Sequence, residues 1–302
     1  MNRAYAMLIG SVFLWGLTVV PMKWTLETIQ PFTLMFLRLL LASIFLLPFA
    51  FIRRRRSPIQ PAPIPWLRIA MLSLTGVSGY FWLNTYGISL TSGVNASIIS
   101  ATLPLFTLLL AAFYLKEQIL LTQWIGLALG IGGVLLITIQ PQATGQHSFW
   151  GDFLVLASQL IWTVYIVQLK RPRGEEKISS EMFTALSFFL GSLMLLPFAL
   201  WEIGRFGLPT VSGKSLASFL FLVFCCTMLA YLLWNKALET IAASKAGIYL
   251  NAIPLFNVLT AILLLNEQMS WRTVLGGSFV LAGVVWAERR KSAEMQAAVK
   301  AE

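Results

Sequence analysis

Residues 91–137 read TSGVNASIISATLPLFTLLLAAFYLKEQILLTQWIGLALGIGGVLLI, and residues 241–287 read IAASKAGIYLNAIPLFNVLTAILLLNEQMSWRTVLGGSFVLAGVVWA. The two stretches align without a gap at an offset of 150. Ala96 meets Ala246, Ile98 meets Ile248, Pro104-Leu105-Phe106 meets Pro254-Leu255-Phe256, and Glu117-Gln118 meets Glu267-Gln268. Gly126 then falls on Gly276, and Gly133-Val134 on Gly283-Val284. Upstream the match continues with small shifts: Tyr80 and Asn84 on Tyr231 and Asn235 at 151, Leu46 to Ala50 (LLPFA) on Leu195 to Ala199 at 149, and Trp15 and Lys23 on Trp162 and Lys170 at 147. The chain is a tandem of two related halves, a pattern that must be read before any element is assigned.

What each half is made of follows from composition. Of 302 residues 58% are hydrophobic and 11% charged, against about 45–50% and about 25% in soluble domains, and the mean hydropathy is +0.78. Too little polar surface exists to coat a water-soluble globule, so most of this surface suits hydrocarbon. Apolar runs near 4–22, 32–52, 67–88, 94–115, 120–139, 150–169, 182–201, 215–235, 246–265 and 271–287 are each about the 20 residues that cross a bilayer as a helix. The first run follows Arg3 as a signal peptide would, but it continues through Trp15 to Pro21 and Lys23 without a small-residue cleavage site, and is read as the first span. The expectation is an all-α integral membrane protein of ten transmembrane helices.

The net charge of +10 would suit a nucleic-acid binder, but the basic residues sit between apolar runs rather than on a soluble module, so no nucleic-acid partner is expected. With the N-terminus inside, 17 Lys and Arg fall on the cytoplasmic side and 4 on the other, with Arg38 inside a span. Both termini are therefore expected in the cytoplasm. Cys225 and Cys226 are adjacent in an apolar run, and His147 is the single histidine. No metal or cofactor site and no catalytic constellation is legible, so no cofactor is expected and an enzyme is disfavoured.

Five spans per half is an odd number, so the second half must enter the membrane from the opposite side. Such inverted repeats give a carrier two related conformations, one open to each side of a midplane site. The halves are expected at 1–140 and 149–288, followed by a cytoplasmic tail at 289–302.

These residues carry a family likeness. Leu14-Trp15-Gly16 with Lys23, Pro31 followed by Phe36-Leu37-Arg38, and the series Ala96, Pro104-Leu105, Glu117, Gly126 and Gly133-Val134 with its second copy resemble the drug/metabolite transporter superfamily, specifically its ten-helix members built from two EamA domains. The likeness covers nearly the whole chain. It implies a multi-pass transporter of the cell membrane, often an exporter, for amino acids, other small metabolites or amphipathic drugs. A flippase for a lipid or lipid-linked sugar is the alternative that the same architecture would serve.

Candidate working residues follow from what is costly in hydrocarbon. Pro104 and Pro254 occupy mirrored positions, and each removes the bond to the carbonyl four residues earlier, at Ser100 and Leu250, making them hinge candidates. Packing kinks are the plainer reading. The amides Asn84, Gln159, Asn235 and Asn251 should face the bundle interior. Trp15, Tyr80, Trp162, Tyr165 and Tyr231 are cavity candidates suited to a small amphipathic solute, whereas Trp66, Trp150 and Trp271 near span ends read as interfacial anchors. Arg38, about 9 Å into its span, could hold a substrate carboxylate or snorkel to the outer surface beside Glu27; Lys23 shares the ambiguity.

Glu117 and Glu267, in tight turns after their spans, read as helix caps before proton carriers. No carboxylate falls near the middle of a span, although Asp152 lies near the start of one. That gives little support to proton exchange against cationic drugs, and protons stay an open coupling ion. Gly126 to Gly130 is a GxxxG motif that could form a homodimer, or could pack within a monomer against the mirrored Gly276, Gly277 and Gly283.

Overall fold

The computed structural model describes residues 2–55, 64–115, 121–139, 148–170, 179–238, 240–241 and 249–301. Glu117, His147, Ala246 and Ile248 lie outside the described residues, and so does the side chain of Asn235. Helices α1 (Asn2–Gly16) and α2 (Val19–Leu26) are separated by a two-residue break and followed by α3 (Pro31–Arg55). Next come α4 (Trp66–Leu72), a π-helical stretch (Ser73–Gly79) and α5 (Tyr80–Leu90), which run on without interruption. The first half closes with α6 (Gly93–Ser100), α7 (Leu103–Leu115) and α8 (Leu121–Thr138). The second half contains α9 (Phe149–Lys170), α10 (Ser180–Phe206), α11 (Gly213–Phe221), a second π-helical stretch (Leu222–Leu229), α12 (Ala230–Leu238), α13 (Ile253–Leu265) and α14 (Trp271–Ala301). Among the described residues there is no β-strand.

Six of these helical segments are long and apolar enough to cross a membrane, and Ile253–Leu265 and Trp271–Trp286 are shorter apolar helices. The expected runs at 67–88 and 150–169 are helical too. They carry Ser73, Ser78, Asn84 and Thr85 in one case, and Asp152, Ser158, Gln159 and Thr163 in the other, all buried. Their polar faces point into the protein. The last helix continues beyond the expected end near 287, to Ala301.

The halves interlock: α3 packs on α10 and α8 on α14, which are counterparts in the repeat, α6 packs on α13, and two mirrored crossings join α5 to α9 and α1 to α12, where α1 corresponds to α9 and α5 to α12. The α3–α10 pair is the clearest. Leu34, Met35, Leu39 and Leu46 share one core with Met182, Leu186, Phe188 and Leu195. Both helices carry an internal proline from the repeated LLPFA, Pro48 and Pro197. At one end Glu202, which is 3% exposed, accepts from the backbone N–H of Phe32 (3.1 Å) and Thr33 (2.8 Å) and from the Thr33 hydroxyl (2.9 Å). It thereby caps α3 with a charge of the right sign for a helix N-terminus. At the other end Arg53 of α3 pairs with Glu181 of α10. The end of each helix fastens the start of the other, so the two run antiparallel, as inverted repeats require.

Glu202→Ala removes three bonds to a buried carboxylate and leaves two N–H groups unpaired. We expect it to cost about 2 kcal/mol of stability, seen as a lower melting temperature in detergent, with Glu202→Gln intermediate. An unchanged melt would remove the cap from this account.

The α8–α14 seam uses small residues. A Cβ on Gly276 would stand 2.5 Å from the Gly133 carbonyl oxygen, and one on Gly133 would stand 2.9 Å from the Val280 backbone nitrogen. A Cβ on Gly283 would meet the Gly130 backbone nitrogen at 2.9 Å. The GxxxG face is thus occupied within the chain, the helix backbones being in direct contact.

Candidate functional site

The seam between α5 and α9 is set by another close approach: a Cβ on Gly87 would lie 2.8 Å from the Gly151 carbonyl oxygen. Helices that near bring their next inward side chains together. Tyr80 and Trp162 face each other with ring centroids 4.7 Å apart, and Tyr165 continues the stack 4.9 Å beyond Trp162. The mirrored contact forms between α1 and α12, where Trp15 and Tyr231 are 5.3 Å apart at 75° and Trp234 also lies 5.3 Å from Trp15. Trp15 corresponds to Trp162 and Tyr80 to Tyr231, so each half lends a tryptophan to the other half's tyrosine. Tyr80 and Tyr165 both lie within electrostatic reach of Tyr231. Although deep in the bundle, Trp15, Tyr80, Trp162, Tyr165 and Tyr231 each keep part of their surface uncovered. These aromatic side chains therefore gather at the two mirrored seams between the halves.

A polar arm adjoins the α5–α9 stack. Asn84 donates to Ser158 Oγ at 3.3 Å, and Gln159 Nε2 donates to Ser158 Oγ at 3.2 Å and to Ser100 Oγ at 3.3 Å. Gln159 is also within hydrogen-bonding reach of the Tyr80 hydroxyl. The interior orientation expected for Asn84 and Gln159 is the observed one, since both are buried. Asn251 sits half-buried in the turn before α13.

Arg38 does not snorkel. It is 3% exposed, and the Glu27 carboxylate is taken by Lys214 at 3.0 Å. The Arg38 Nε donates to Thr227 Oγ1 at 2.8 Å, and the guanidinium lies 5.6 Å from the centre of the Phe81 ring. Thr227 gives its own proton to the Leu222 carbonyl five residues back, at 2.8 Å. Thr227 lies in the second π-helical stretch, and with its proton given to Leu222 its oxygen is left to accept from Arg38. The opposite π-helical stretch has a different use: a Cβ at Gly76 would collide with the Tyr165 ring, so glycine there lets Tyr165 lie against the backbone.

Pro104 and Pro254, expected inside continuous spans, do not interrupt a helix. The helices stop before them, at the turns 101–102 and 251–252, and each proline is the second residue of the helix that follows, where a missing N–H costs little. A further break separates α1 from α2. Asn257 holds it, accepting from the Val19 N–H at 3.2 Å, while a Cβ on Gly16 would lie 3.1 Å from Phe256 Cγ.

One end of the site is fastened by contacts between the halves. Glu267 accepts from the Gly93 and Val94 N–H groups at 2.7 and 2.8 Å. Ser92 takes the Asn95 N–H at 3.0 Å, completing the cap of α6. Beside it Lys23 donates to the Thr91 carbonyl, and the Thr91 hydroxyl donates to the buried Asp152 at 2.5 Å. Glu267 therefore acts as a helix cap, the plainer of its two expected roles. Trp66, Trp150 and Trp271 are exposed, as anchors would be. Among the described residues no group of three or more His, Cys, Asp or Glu could hold a metal ion.

Sequence reasoning did not single out Thr227, Ser158, the Ser100 side chain or Phe81. The first three are small polar residues inside apolar runs, each at an interface between helices, and that pattern was the available signal.

The wider comparisons agree with this architecture. A model of the EamA-like transporter family matches twice, over residues 2–139 and 149–288. An uncharacterized transporter of Archaeoglobus fulgidus is 29% identical over 286 residues, covering 94% of this chain and 96% of its own. The uncharacterized transporter YetK of Bacillus subtilis is 27% identical over 286 residues, covering 93% of this chain and 85% of its own. A crystal structure at 19% identity superposes with a TM-score of 0.62 over 95% of this chain and 97% of that one, which shows a shared fold. Two matched copies spanning the interlocked halves, with their apolar helices, make the chain a membrane protein that belongs to the EamA-like transporter family.

Proposed function

We infer that the chain is a secondary carrier of small metabolites or amphipathic compounds, working by alternating access between two inverted five-helix halves at 1–140 and 149–288. The mirrored pairs Trp15–Tyr231 and Trp162–Tyr80 carry this reading. They line one space with matching groups from both halves, so exchanging the halves' shapes would keep the site while reversing its opening. Ten crossings follow when 66–90, α9, α13 and α14 join the six long apolar segments. The distribution of Lys and Arg supports cytoplasmic termini, which makes the end fastened by Lys23, Asp152 and Glu267 the external one. Export is the direction that the family likeness favours.

Purified protein in proteoliposomes should give saturable uptake in a screen of amino acids and small aromatic metabolites, with and without an imposed pH gradient. Stimulation by the gradient would point to Asp152 and Glu267 as the responding groups. Movement of lipid with no soluble solute would replace this reading by a flippase.

The breaks before Pro104 and Pro254 are the proposed hinges, because a two-residue turn can bend where a continuous helix cannot. Pro104→Ala and Pro254→Ala are expected to lower turnover several-fold with little change in substrate affinity. Turnover equal to the parent in both variants would remove the hinge role.

A further inference from the structure

Building on the carrier reading, we propose that the transported solute is an organic monoanion, a carboxylate on a flat apolar body without an ammonium group, and that Arg38 holds the carboxylate.

Arginine keeps its charge in proteins, and a guanidinium inside hydrocarbon needs a counter-charge and partners for its N–H groups. Among the described residues Arg38 has one hydrogen-bonded partner, Thr227 at Nε, and its buried Nη1 has none. Every described carboxylate side chain is engaged elsewhere: Glu27 with Lys214, Asp152 with Thr91, Glu181 with Arg53, Glu202 with the start of α3, and Glu267 with the start of α6. The groups within electrostatic reach of Arg38 are Cys226, Tyr231 and Tyr80, two of them cavity aromatics. The counter-charge is therefore left to the ligand, and the planar fork of Arg fits a carboxylate in bidentate fashion.

The position is one-sided. At the offset of 149 shared by the LLPFA repeat, Arg38 corresponds to Ser187, whose buried hydroxyl also has no hydrogen-bond partner. The site thus offers one cationic pole beside aromatic walls, and no described carboxylate that could receive an ammonium. An ammonium brought there would be desolvated with no described carboxylate to balance its charge, only neutral oxygens and aromatic faces. A zwitterionic amino acid is disfavoured for that reason, and a cation more so.

The test is calorimetric binding to the purified protein in detergent at pH 7.4, with four probes sharing one ring: indole-3-propionate, its neutral amide, L-tryptophan and tryptamine. The propionate is expected to bind at least tenfold more tightly than the other three. Arg38→Gln should bring the propionate down to the level of the amide while leaving the amide unchanged, and Arg38→Lys should recover part of the difference. Amide or tryptophan binding within threefold of the propionate, tighter binding of tryptamine, or full propionate affinity in Arg38→Gln would overturn the anion site. In those cases the carrier reading survives, because an aromatic ligand still occupies the cavity. Absence of binding by all four also overturns the proposal, and the carrier reading then rests on the uptake screen alone. The ranking on the parent protein decides the matter even if an Arg38 variant does not fold.

Discussion

Replacing Gly276 by leucine is expected to abolish recovery of folded, monodisperse protein. The new Cβ would stand 2.5 Å from the Gly133 carbonyl oxygen and 2.7 Å from Ile137 Cγ1. The first of these is a backbone atom and cannot rotate aside, so α8 and α14 would have to separate along their length. Their separation would uncover Val134, Ile137, Val280 and Val284, now buried at the seam. An overpacked core ordinarily costs about 1–3 kcal/mol, and a forced backbone separation should exceed that range. Size-exclusion chromatography and a thermal melt in detergent provide the readout, with Gly276→Ala milder. Gly132→Leu is the control, since a Cβ there has no heavy atom within 4 Å. A Gly276→Leu protein that elutes and melts like the parent would contradict the intrachain seam.

The second large effect is expected at Trp162. Its ring lies between Tyr80 and Tyr165 at 4.7 and 4.9 Å, so truncation to alanine takes away the middle of the aromatic wall. Buried aromatic anchors are worth about 2–3 kcal/mol in recognition, which corresponds to a loss of affinity of roughly 30- to 150-fold. Transport of the solute identified in the uptake screen should show it as a rise in KM, with monodispersity retained. Unchanged affinity would make Trp162 a packing residue.

The repeat was legible because its marks are local in sequence: two prolines, paired glycines and a Glu-Gln step recur at constant spacing. The Trp15–Tyr231 and Trp162–Tyr80 contacts are not pairings of the repeat but are mirror images under it, since Trp15 corresponds to Trp162 and Tyr80 to Tyr231. The amides at Asn84 and Gln159 were legible for a physical reason, the penalty for leaving them in lipid.

Other features were not legible, because tertiary contact decides them. Nothing in LVFCCTML marks residues 222–229 as π-helical; the widening is read from the backbone, where the Ala230 N–H reaches the Cys225 carbonyl five residues back. The break at 17–18 falls inside an apolar run expected to be one helix over 4–22, and the amide that spans it belongs to Asn257, 238 residues from Val19. Arg38 was ambiguous for the same reason. Its depth suggested either a ligand or a snorkelling anchor, and only the pairing of Glu27 with Lys214 and the position of Thr227 separate the two.

The central claim is a site between inverted halves that each side of the membrane can reach in turn. Ser100, at the break before Pro104 and 3.3 Å from Gln159, is the position to probe. In a background with Cys225 and Cys226 replaced by serine, Ser100→Cys in oriented proteoliposomes would be treated with a membrane-impermeant thiol reagent from either face. The account predicts labelling from both faces, with a transported solute slowing the reaction from each. Labelling from one face alone, unaffected by solute, would contradict it.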